Sequence, residues 1–281
     1  MKSLLKIFAL FGTVFIVLMV RSGLAEETSS PEKETIVKKS VSIKQSELMA
    51  KTLFNNLWQE LCEKFGERNL KFPKQVVFLN GAPGSGKGTN TLNVMRVLEI
   101  STPPIEVSSL LTTPECESLK ARGQLVSDDV VITQVINELL KTENSRGIII
   151  DGFPRTVVQA YFLKYLICKL HEIHNEMPTG FKIVKFSVTR QTSINRQLLR
   201  GAMAIEQNEK AKESGSKVVA VRPTDISFEA ASRRYQIYED SINACMAILR
   251  DDIPIYDINA EGTLEKVKRR TNNILSGQRK K

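Results

Sequence analysis

The chain has few side chains of the kind that hold transition metals. It contains four cysteines and two histidines in 281 residues. The cysteines are Cys62, Cys116, Cys168 and Cys245. No two of them form a Cys-x-x-Cys pair, and neither His171 nor His174 has a ligand-rich motif beside it, so a zinc site is not expected. We interpret the cysteines as small core or surface residues, although in an oxidising compartment they could also pair.

Aromatic residues are also scarce, at 6% of the chain, and they do not alternate with basic residues as in proteins that bind single-stranded nucleic acid. The formal net charge of +9 therefore does not indicate a nucleic acid partner. Part of that charge lies in the final segment, Gln278–Lys281, and much of the rest lies in the motifs described below.

The apolar run from Ile7 to Val20 is short for a membrane span. Two lysines precede it, and small residues follow it up to Ala25. A basic start, an apolar centre and small residues are typical of a secretory signal, so residues 1–25 are predicted to be a signal peptide cleaved after Ala25. Export to the periplasm or the exterior is then expected.

Arg21 lies close to this cleavage point and favours the alternative of an uncleaved N-terminal anchor. In that case the chain would contact a membrane through this segment alone. If the signal does not function, the protein would be cytoplasmic.

Residues 26–45 are polar and predict a flexible linker, and residues 46–70 predict an amphipathic helical extension. The apolar stripe of this helix is Met49, Leu53, Leu57, Leu61 and Phe65, and Phe54 and Trp58 widen it. Its spacing of four residues favours packing on the domain that follows over a role on a membrane.

From residue 71 to residue 277, short apolar strands alternate with helical patterns. The predicted strands are 75–80, 104–108, 147–150, 182–188 and 254–258. This alternation predicts an α/β fold, with a five-stranded parallel sheet covered by helices on both faces. Ligands are expected beyond the carboxyl ends of its strands.

A glycine-rich segment, Gly81–Thr89, joins the first of these strands to a helix. Glycines let backbone N–H groups turn inward, the helix offers its N-terminus to negative charge, and Lys87 adds a mobile cation. The segment therefore predicts a polyphosphate site. The usual pattern has a hydroxyl directly after the lysine, but here Gly88 holds that position and the hydroxyl comes at Thr89.

A second motif, Asp151-Gly-Phe-Pro-Arg155-Thr with Gln159 four residues after the arginine, follows another apolar strand. Together, the two motifs resemble the signatures of the adenylate kinase family of nucleoside monophosphate kinases. This family also has a glycine between the lysine and the threonine of its loop, as Gly88 stands here between Lys87 and Thr89. The resemblance runs from about Val76 to about Leu275. It implies a P-loop kinase core with a small mobile lid over residues 196–225 and an acceptor-binding insertion, reduced here, over residues 108–126.

The resemblance also implies roles for individual residues. Those assigned to ATP are Gly84, Ser85, Gly86, Lys87, Gly88, Thr89 and Arg196. Those assigned to catalysis are Lys87, Arg155, Arg200, Arg222 and Arg234, with Asp225 as the remaining acid of the lid. Those assigned to the acceptor are Ser109, Gln124, Val126, Arg155 and Gln159. Thr89 and Asp151 would hold Mg²⁺, through water.

The chain departs from the family pattern after the second strand. Family members continue there with Ser-Thr-Gly-Asp-x-Leu-Arg, whose arginine holds the acceptor phosphate, whereas this chain has Ser108-Ser-Leu-Leu-Thr-Thr-Pro114 and no arginine before Arg122. The donor side is thus expected to be complete and the acceptor side to be reduced.

Three functions remain open from the sequence. The first, which we favour, is a monomeric enzyme that transfers the γ-phosphate of Mg·ATP to a nucleoside monophosphate, with Gln159 favouring AMP. The second is a nucleotide-binding paralogue with weak or no catalysis, and the third is a kinase for another small acceptor.

Overall fold

The fold is built around five short strands rich in Val, Ile and Phe. The computed structural model describes residues 31–121, 124–141, 147–174 and 180–277. Its strands are β1 (Val76–Gly81), β2 (Ile105–Glu106), β3 (Ile148–Asp151), β4 (Phe181–Ser187) and β5 (Ile255–Asn259). They form one parallel sheet in the order β2-β3-β1-β4-β5. The predicted five-stranded parallel sheet is confirmed, with a second strand shorter than expected.

Nine α-helices are described alongside the sheet. They are α1 (Pro31–Phe65), α2 (Lys87–Leu98), α3 (Val107–Leu110), α4 (Pro114–Ala121), α5 (Asp128–Lys141), α6 (Val157–His174), α7 (Arg190–Ser214), α8 (Phe228–Leu249) and α9 (Leu264–Ser276). Short 3-10 turns lie at Glu67–Asn69 and Pro223–Asp225.

The strand β1 shows why helices cover both faces of the sheet. Its six residues are all buried, and successive side chains point to opposite faces. Phe78 belongs to a core that contains residues of α1, α5, α6 and α8. Leu79 belongs to a second core, with residues of α2 and α9. A strand buried on both sides reads as a continuous apolar run, as this one does.

The predicted linker requires a correction. Residues 31–45 are helical and form the first part of α1, which begins at Pro31. Proline is favoured in the first helical turn, and the Glu and Lys residues after it are good helix formers, so a polar segment can be helical. By its contacts the chain separates into two units, Met1–Val41 and Ser42–Lys281. The predicted signal peptide, residues 1–25, lies outside the described residues.

The C-terminal part of α1 packs on α6. The ring of Phe54 lies 5.6 Å from that of Phe162 and 6.0 Å from that of Tyr165. The buried face is centred on Ala50, Phe54 and Leu61, while the predicted stripe members Met49 and Phe65 are 49% and 44% exposed. The predicted members Leu53, Leu57 and Trp58 are partly buried against the same core, so most of the predicted stripe packs as expected and only its two ends are exposed.

The two regions that the resemblance implies, the acceptor insertion and the lid, differ in length. The reduced acceptor insertion consists of the four-residue helix α3 and the eight-residue helix α4. The lid residues begin inside α7, which extends to Ser214 and ends at Gly215 with a φ of 67°. Within the described residues, no helix combines the length and the apolar character needed to cross a membrane.

Candidate active site

The glycine-rich segment forms a tight loop between β1 and α2. A Cβ atom added at Gly81 would lie 2.7 Å from the Ser85 hydroxyl oxygen and 2.9 Å from the Phe186 carbonyl oxygen. Gly84 and Gly86 have φ angles of 71° and 81°, a conformation that only glycine adopts without strain. The sequence folds this way because glycine alone permits both the turn and the close approach.

The loop presents donors to the space that it encloses. Gly86 precedes helix α2 and has no side chain that could cap it, so N–H groups of the first helical turn remain available to an anion. The hydroxyl of Ser85 is buried and has no hydrogen-bond partner among the described protein atoms. A buried hydroxyl normally finds a partner, so this one fits a bound oxygen atom.

Lys87, at the start of α2, points toward the end of β3. Its Nζ lies 3.1 Å from Oδ1 of Asp151, which is paired in register with Leu79 of β1. Burial lowers the pKa of Lys87, and Asp151 opposes that shift. The pair places one cation and one carboxylate at the carboxyl edge of adjacent strands, beside the loop.

Four arginines contribute charge to the same region. Burial, together with the neighbouring arginines 222, 200 and 155, lowers the pKa of Arg234 to about 10, and Asp225 opposes the shift. Burial also lowers the pKa of Arg155, which Asp151 opposes and Arg222 reinforces. Mutual effects of this kind require the side chains to be close, so the structure brings these predicted catalytic residues together.

Asp225 organises the lid arginines. The Nε and Nη2 atoms of Arg200 lie 2.6 Å and 2.9 Å from its two carboxylate oxygens. Nη1 of Arg234 lies 3.2 Å from the nearer oxygen and 3.1 Å from the hydroxyl of Thr224. Asp225 is only 2% exposed, so it fixes both guanidinium groups while leaving their outer N–H groups for a ligand.

Arg196 lies against the glycine loop from the side of α7. Its guanidinium donates to the carbonyl oxygens of Gly84 at 3.4 Å, Ala260 at 3.1 Å and Gly262 at 3.3 Å. One helical turn earlier, the Ser193 hydroxyl donates to Pro83 O at 2.6 Å. These contacts join α7 to the loop, and they engage Arg196 with backbone in the state described.

A small cavity of about 80 Å³ lies on the other side of Arg155. Its walls are Val107, Ser108, Leu111, Lys120, Gln124, Leu125, Val126, Val131, Gly152, Arg155 and Gln159. Four of the five residues assigned to the acceptor are among them. The fifth, Ser109, is exposed and is not among these residues, because its hydroxyl donates to Glu106 O at 2.7 Å.

Gln159 is held in one orientation within this wall. Its Oε1 accepts from the Arg155 N–H at 2.7 Å, and its Nε2 donates to Oδ1 of Asp128 at 2.8 Å. The Thr156 hydroxyl donates to the same carboxylate oxygen at 2.7 Å. Burial raises the pKa of Asp128, which the two hydrogen bonds oppose.

The sequence reasoning missed three contributors. No role was predicted for Asp128, Lys120 or Asn80. Asn80 ends β1, is 4% exposed, and joins two site loops: its Nδ2 donates to Pro154 O at 2.9 Å and its Oδ1 accepts from Gly81 N at 2.8 Å. A polar residue at the end of an apolar strand was the available signal.

The sequence was compared with family models and with known proteins. A family model described as an AAA domain matches residues 80–212. The adenylate kinases of Xanthomonas oryzae and Thermosipho melanesiensis are each 27% identical, over 70% and 71% of this chain and 97% and 98% of the relatives. The adenylate kinase of Corynebacterium diphtheriae is 30% identical over 211 residues, 70% of this chain and 97% of that relative.

The chain belongs to the adenylate kinase family. Its sheet, glycine loop and paired motifs are therefore those of a nucleotide kinase of this family. The similarity covers nearly the full length of these relatives.

Adenylate kinase-family enzymes use Mg²⁺ with ATP. The residues of this chain fit that ion if the nucleotide phosphates supply some of its ligands. Among the described residues, no three His, Cys, Asp or Glu side chains are grouped as a metal site. Asp151 is the last residue of β3, at the carboxyl end of that strand, and Thr89 is exposed in the first turn of α2. Mg²⁺ is usually held by one or two carboxylates, substrate phosphates and water, which suits this sparse set.

Proposed function

We propose that this protein transfers the γ-phosphate of Mg·ATP to a nucleoside monophosphate, with AMP as the acceptor, so that ATP and AMP yield two molecules of ADP. The proposal is carried by one observation: Lys87 and the arginines 155, 200, 222 and 234 form a cluster of cations close enough to influence one another, in which Asp225 binds both Arg200 and Arg234. Phosphoryl transfer depends mainly on positioning and on stabilising spread negative charge, and this cluster supplies both.

In the proposed reaction, the loop backbone holds the donor phosphates and Arg155 holds the acceptor phosphate. An oxygen of the acceptor phosphate attacks the γ-phosphorus in line. The bond from that phosphorus to the β,γ-bridging oxygen breaks, and ADP leaves with its electron pair. Lys87, Arg200, Arg222 and Arg234 would stabilise the charge on the transferring group, and bound Mg²⁺ would neutralise charge on the donor oxygens.

The choice of AMP rests on Gln159. With one hydrogen bond on each end of its amide, Nε2 retains one N–H and Oε1 retains one lone pair. That pair of groups matches the ring nitrogen and amino group on the Watson–Crick edge of adenine. A base with a carbonyl in place of the amino group would meet an acceptor where it needs a donor.

The test is phosphoryl transfer by the purified chain, with Mg·ATP against AMP, CMP, UMP, GMP and dAMP in parallel. ADP formation with AMP, at a rate well above that for the other ribonucleotides, is the expected result. Transfer to none of the five acceptors, by protein that still binds ATP, would contradict the proposal.

The second candidate is a nucleotide-binding paralogue with weak catalysis. The small cavity and the missing arginine after β2 favour it. The retained cation cluster argues against it, because a chain that had lost catalysis would be expected to lose its phosphate-binding arginines too. A kinase for a different small acceptor is the remaining candidate, and the acceptor series above would reveal it.

We also propose, from the sequence alone, that residues 1–25 direct export and are removed after Ala25. N-terminal sequencing of the protein from its native source tests this. A mature chain that begins at Glu26 is expected, and a chain that retains residues 1–25 would contradict cleavage.

A further inference from the structure

Two cationic residues line the acceptor cavity. Among the described residues of its walls, Arg155 and Lys120 are the charged ones, and the other nine are apolar or neutral. The cavity is only about 80 Å³, so two cationic residues border one small space. Like charges around a small space favour an anion between them.

Lys120 is also the sole Lys or Arg among residues 105–121, the described stretch from β2 to the end of α4. Its Nζ lies 3.0 Å from the carbonyl oxygen of Ser108, the first residue of the segment that departs from the family pattern. A lysine from α4 thus brings positive charge back to the segment that lacks the expected arginine.

The present partners of Lys120 leave it available. Its Nζ makes two contacts, to Ser108 O and to Glu117 Oε1 at 2.7 Å, so one of its three N–H donors remains. The Glu117 side chain is 58% exposed, and exposed ion pairs of this kind contribute little to stability. A phosphate could therefore replace Glu117 at small cost.

We infer that Lys120 is the second phosphate-binding cation of the acceptor site and acts opposite Arg155. This inference rests on the proposed function, since it assigns a residue to that same site. An ammonium group is a point charge and does not form the two parallel hydrogen bonds of a guanidinium, so it is expected to hold the phosphate less rigidly than arginine would.

The test compares three variants, Lys120→Met, Glu117→Gln and Lys141→Met. Lys141 is the matched control, because it forms the same i, i+3 pair with Glu138 at 2.8 Å and is not in the walls of the acceptor cavity. Steady-state kinetics would give KM for AMP and for ATP, and calorimetry would give the affinity of each variant for AMP and for adenosine. Melting temperatures would check that all three variants are folded.

Lys120→Met is expected to raise KM for AMP and weaken AMP binding about tenfold, the lower range for a charge-assisted contact because the lysine is partly exposed. Affinity for adenosine and KM for ATP should stay within about twofold. Glu117→Gln removes the competing carboxylate and should leave AMP binding unchanged or tighter. Lys141→Met should match the wild type.

Other outcomes overturn the inference. If Lys120 serves only the surface pair, Lys120→Met and Glu117→Gln will have the same small effect. Equal losses for AMP and adenosine would place Lys120 on the base and contradict a phosphate contact. If the wild type transfers phosphate and AMP binding is unaffected by Lys120→Met, the inference fails while the proposed function stands. If no acceptor is phosphorylated but AMP binding depends on Lys120, the proposed function fails while the inference about Lys120 stands.

Discussion

The donor side of the site consists mainly of backbone groups, whereas the acceptor side consists mainly of side chains. The donor side is mostly backbone: glycines at positions 81, 84 and 86 create a loop that no larger residue would allow, between a fully buried strand and a twelve-residue helix. The acceptor side is mostly side chain, carried by a two-residue strand and the short helices α3 and α4. A backbone site depends on a few glycines, whereas a side-chain site can exchange one residue for another.

This difference explains where the chain departs from its family. Replacing a glycine of the donor loop would disrupt the backbone conformation that binds the phosphates. On the acceptor side, a phosphate contact can move from one helix to another, provided that a cation reaches the same space. The predictions below test this contrast, beginning with the largest expected effect.

Lys87→Ala is expected to lower kcat by about 10²–10³-fold for every acceptor, because it removes a donor aimed at the transferring group. Lys164→Ala is the matched control: Lys164 pairs with Asp252 at 3.1 Å, the same distance as the Lys87–Asp151 pair. Steady-state rates for both variants test the prediction. Equal activity of the two variants would show that Lys87 has only a structural role.

Arg155→Ala is expected to raise KM for AMP roughly 10–150-fold, the range for a lost charge-assisted contact, while KM for ATP changes little. This split would confirm that the two sides act separately. Comparable rises in both KM values would break the contrast and show that Arg155 serves both nucleotides. Both Arg155→Ala and Arg155→Lys keep the backbone N–H that binds Gln159, so the part of the affinity that Arg155→Lys retains would measure the charge of the side chain.

Gly84→Ala is expected to lower the free energy of unfolding by roughly 1–3 kcal/mol, since its φ of 71° strains any other residue. The added Cβ would also lie 2.9 Å from Ser193 O. Gly88→Ala is the control, because no atom lies within 4 Å of its added Cβ and its φ is ordinary. Gly88→Ala should be neutral or stabilising by about 0.5–1 kcal/mol, as expected for alanine in a helix.

Chemical denaturation of the two glycine variants gives both values. A similar loss in each variant would mean that neither the positive φ nor the close contact of Gly84 sets its cost. An unchanged free energy of unfolding in Gly84→Ala would contradict the claim that the conformation of the loop depends on glycine.

Asp128→Asn is expected to change stability least, and in a pH-dependent way. Burial holds the pKa of Asp128 above its ordinary value of 3.8, so the folded protein binds this proton more tightly than the unfolded chain. Wild-type stability relative to Asp128→Asn should therefore fall as pH rises from about 3.8 through the raised pKa, and then level off. Denaturation of both proteins at about pH 4 to pH 8 tests this sign, and a difference that grows in favour of the wild type would contradict it.

Much of the fold could be predicted from local sequence, for reasons visible in particular residues. The run Val76–Leu79 is apolar without alternation, which identified a strand buried on both faces. The face of α1 was predicted correctly at Phe54, which packs on α6, but not at its first member Met49, which remains exposed, because side-chain spacing alone does not show where the neighbouring helix ends. The helical start of α1 at Pro31 was missed because its polar composition is shared by linkers and exposed helices.

The sequence alone determined the parallel α/β sheet, the glycine loop and the family resemblance, because these depend on short-range rules: strand periodicity, the conformational freedom of glycine, and residues at fixed spacing. Only the tertiary structure decided that Asp128 fixes Gln159, that Asp225 joins Arg200 to Arg234, and that Lys120 shares a cavity with Arg155. These residues are 31, 25, 9 and 35 positions apart in the chain, and packing of separate helices against one sheet is what brings them together.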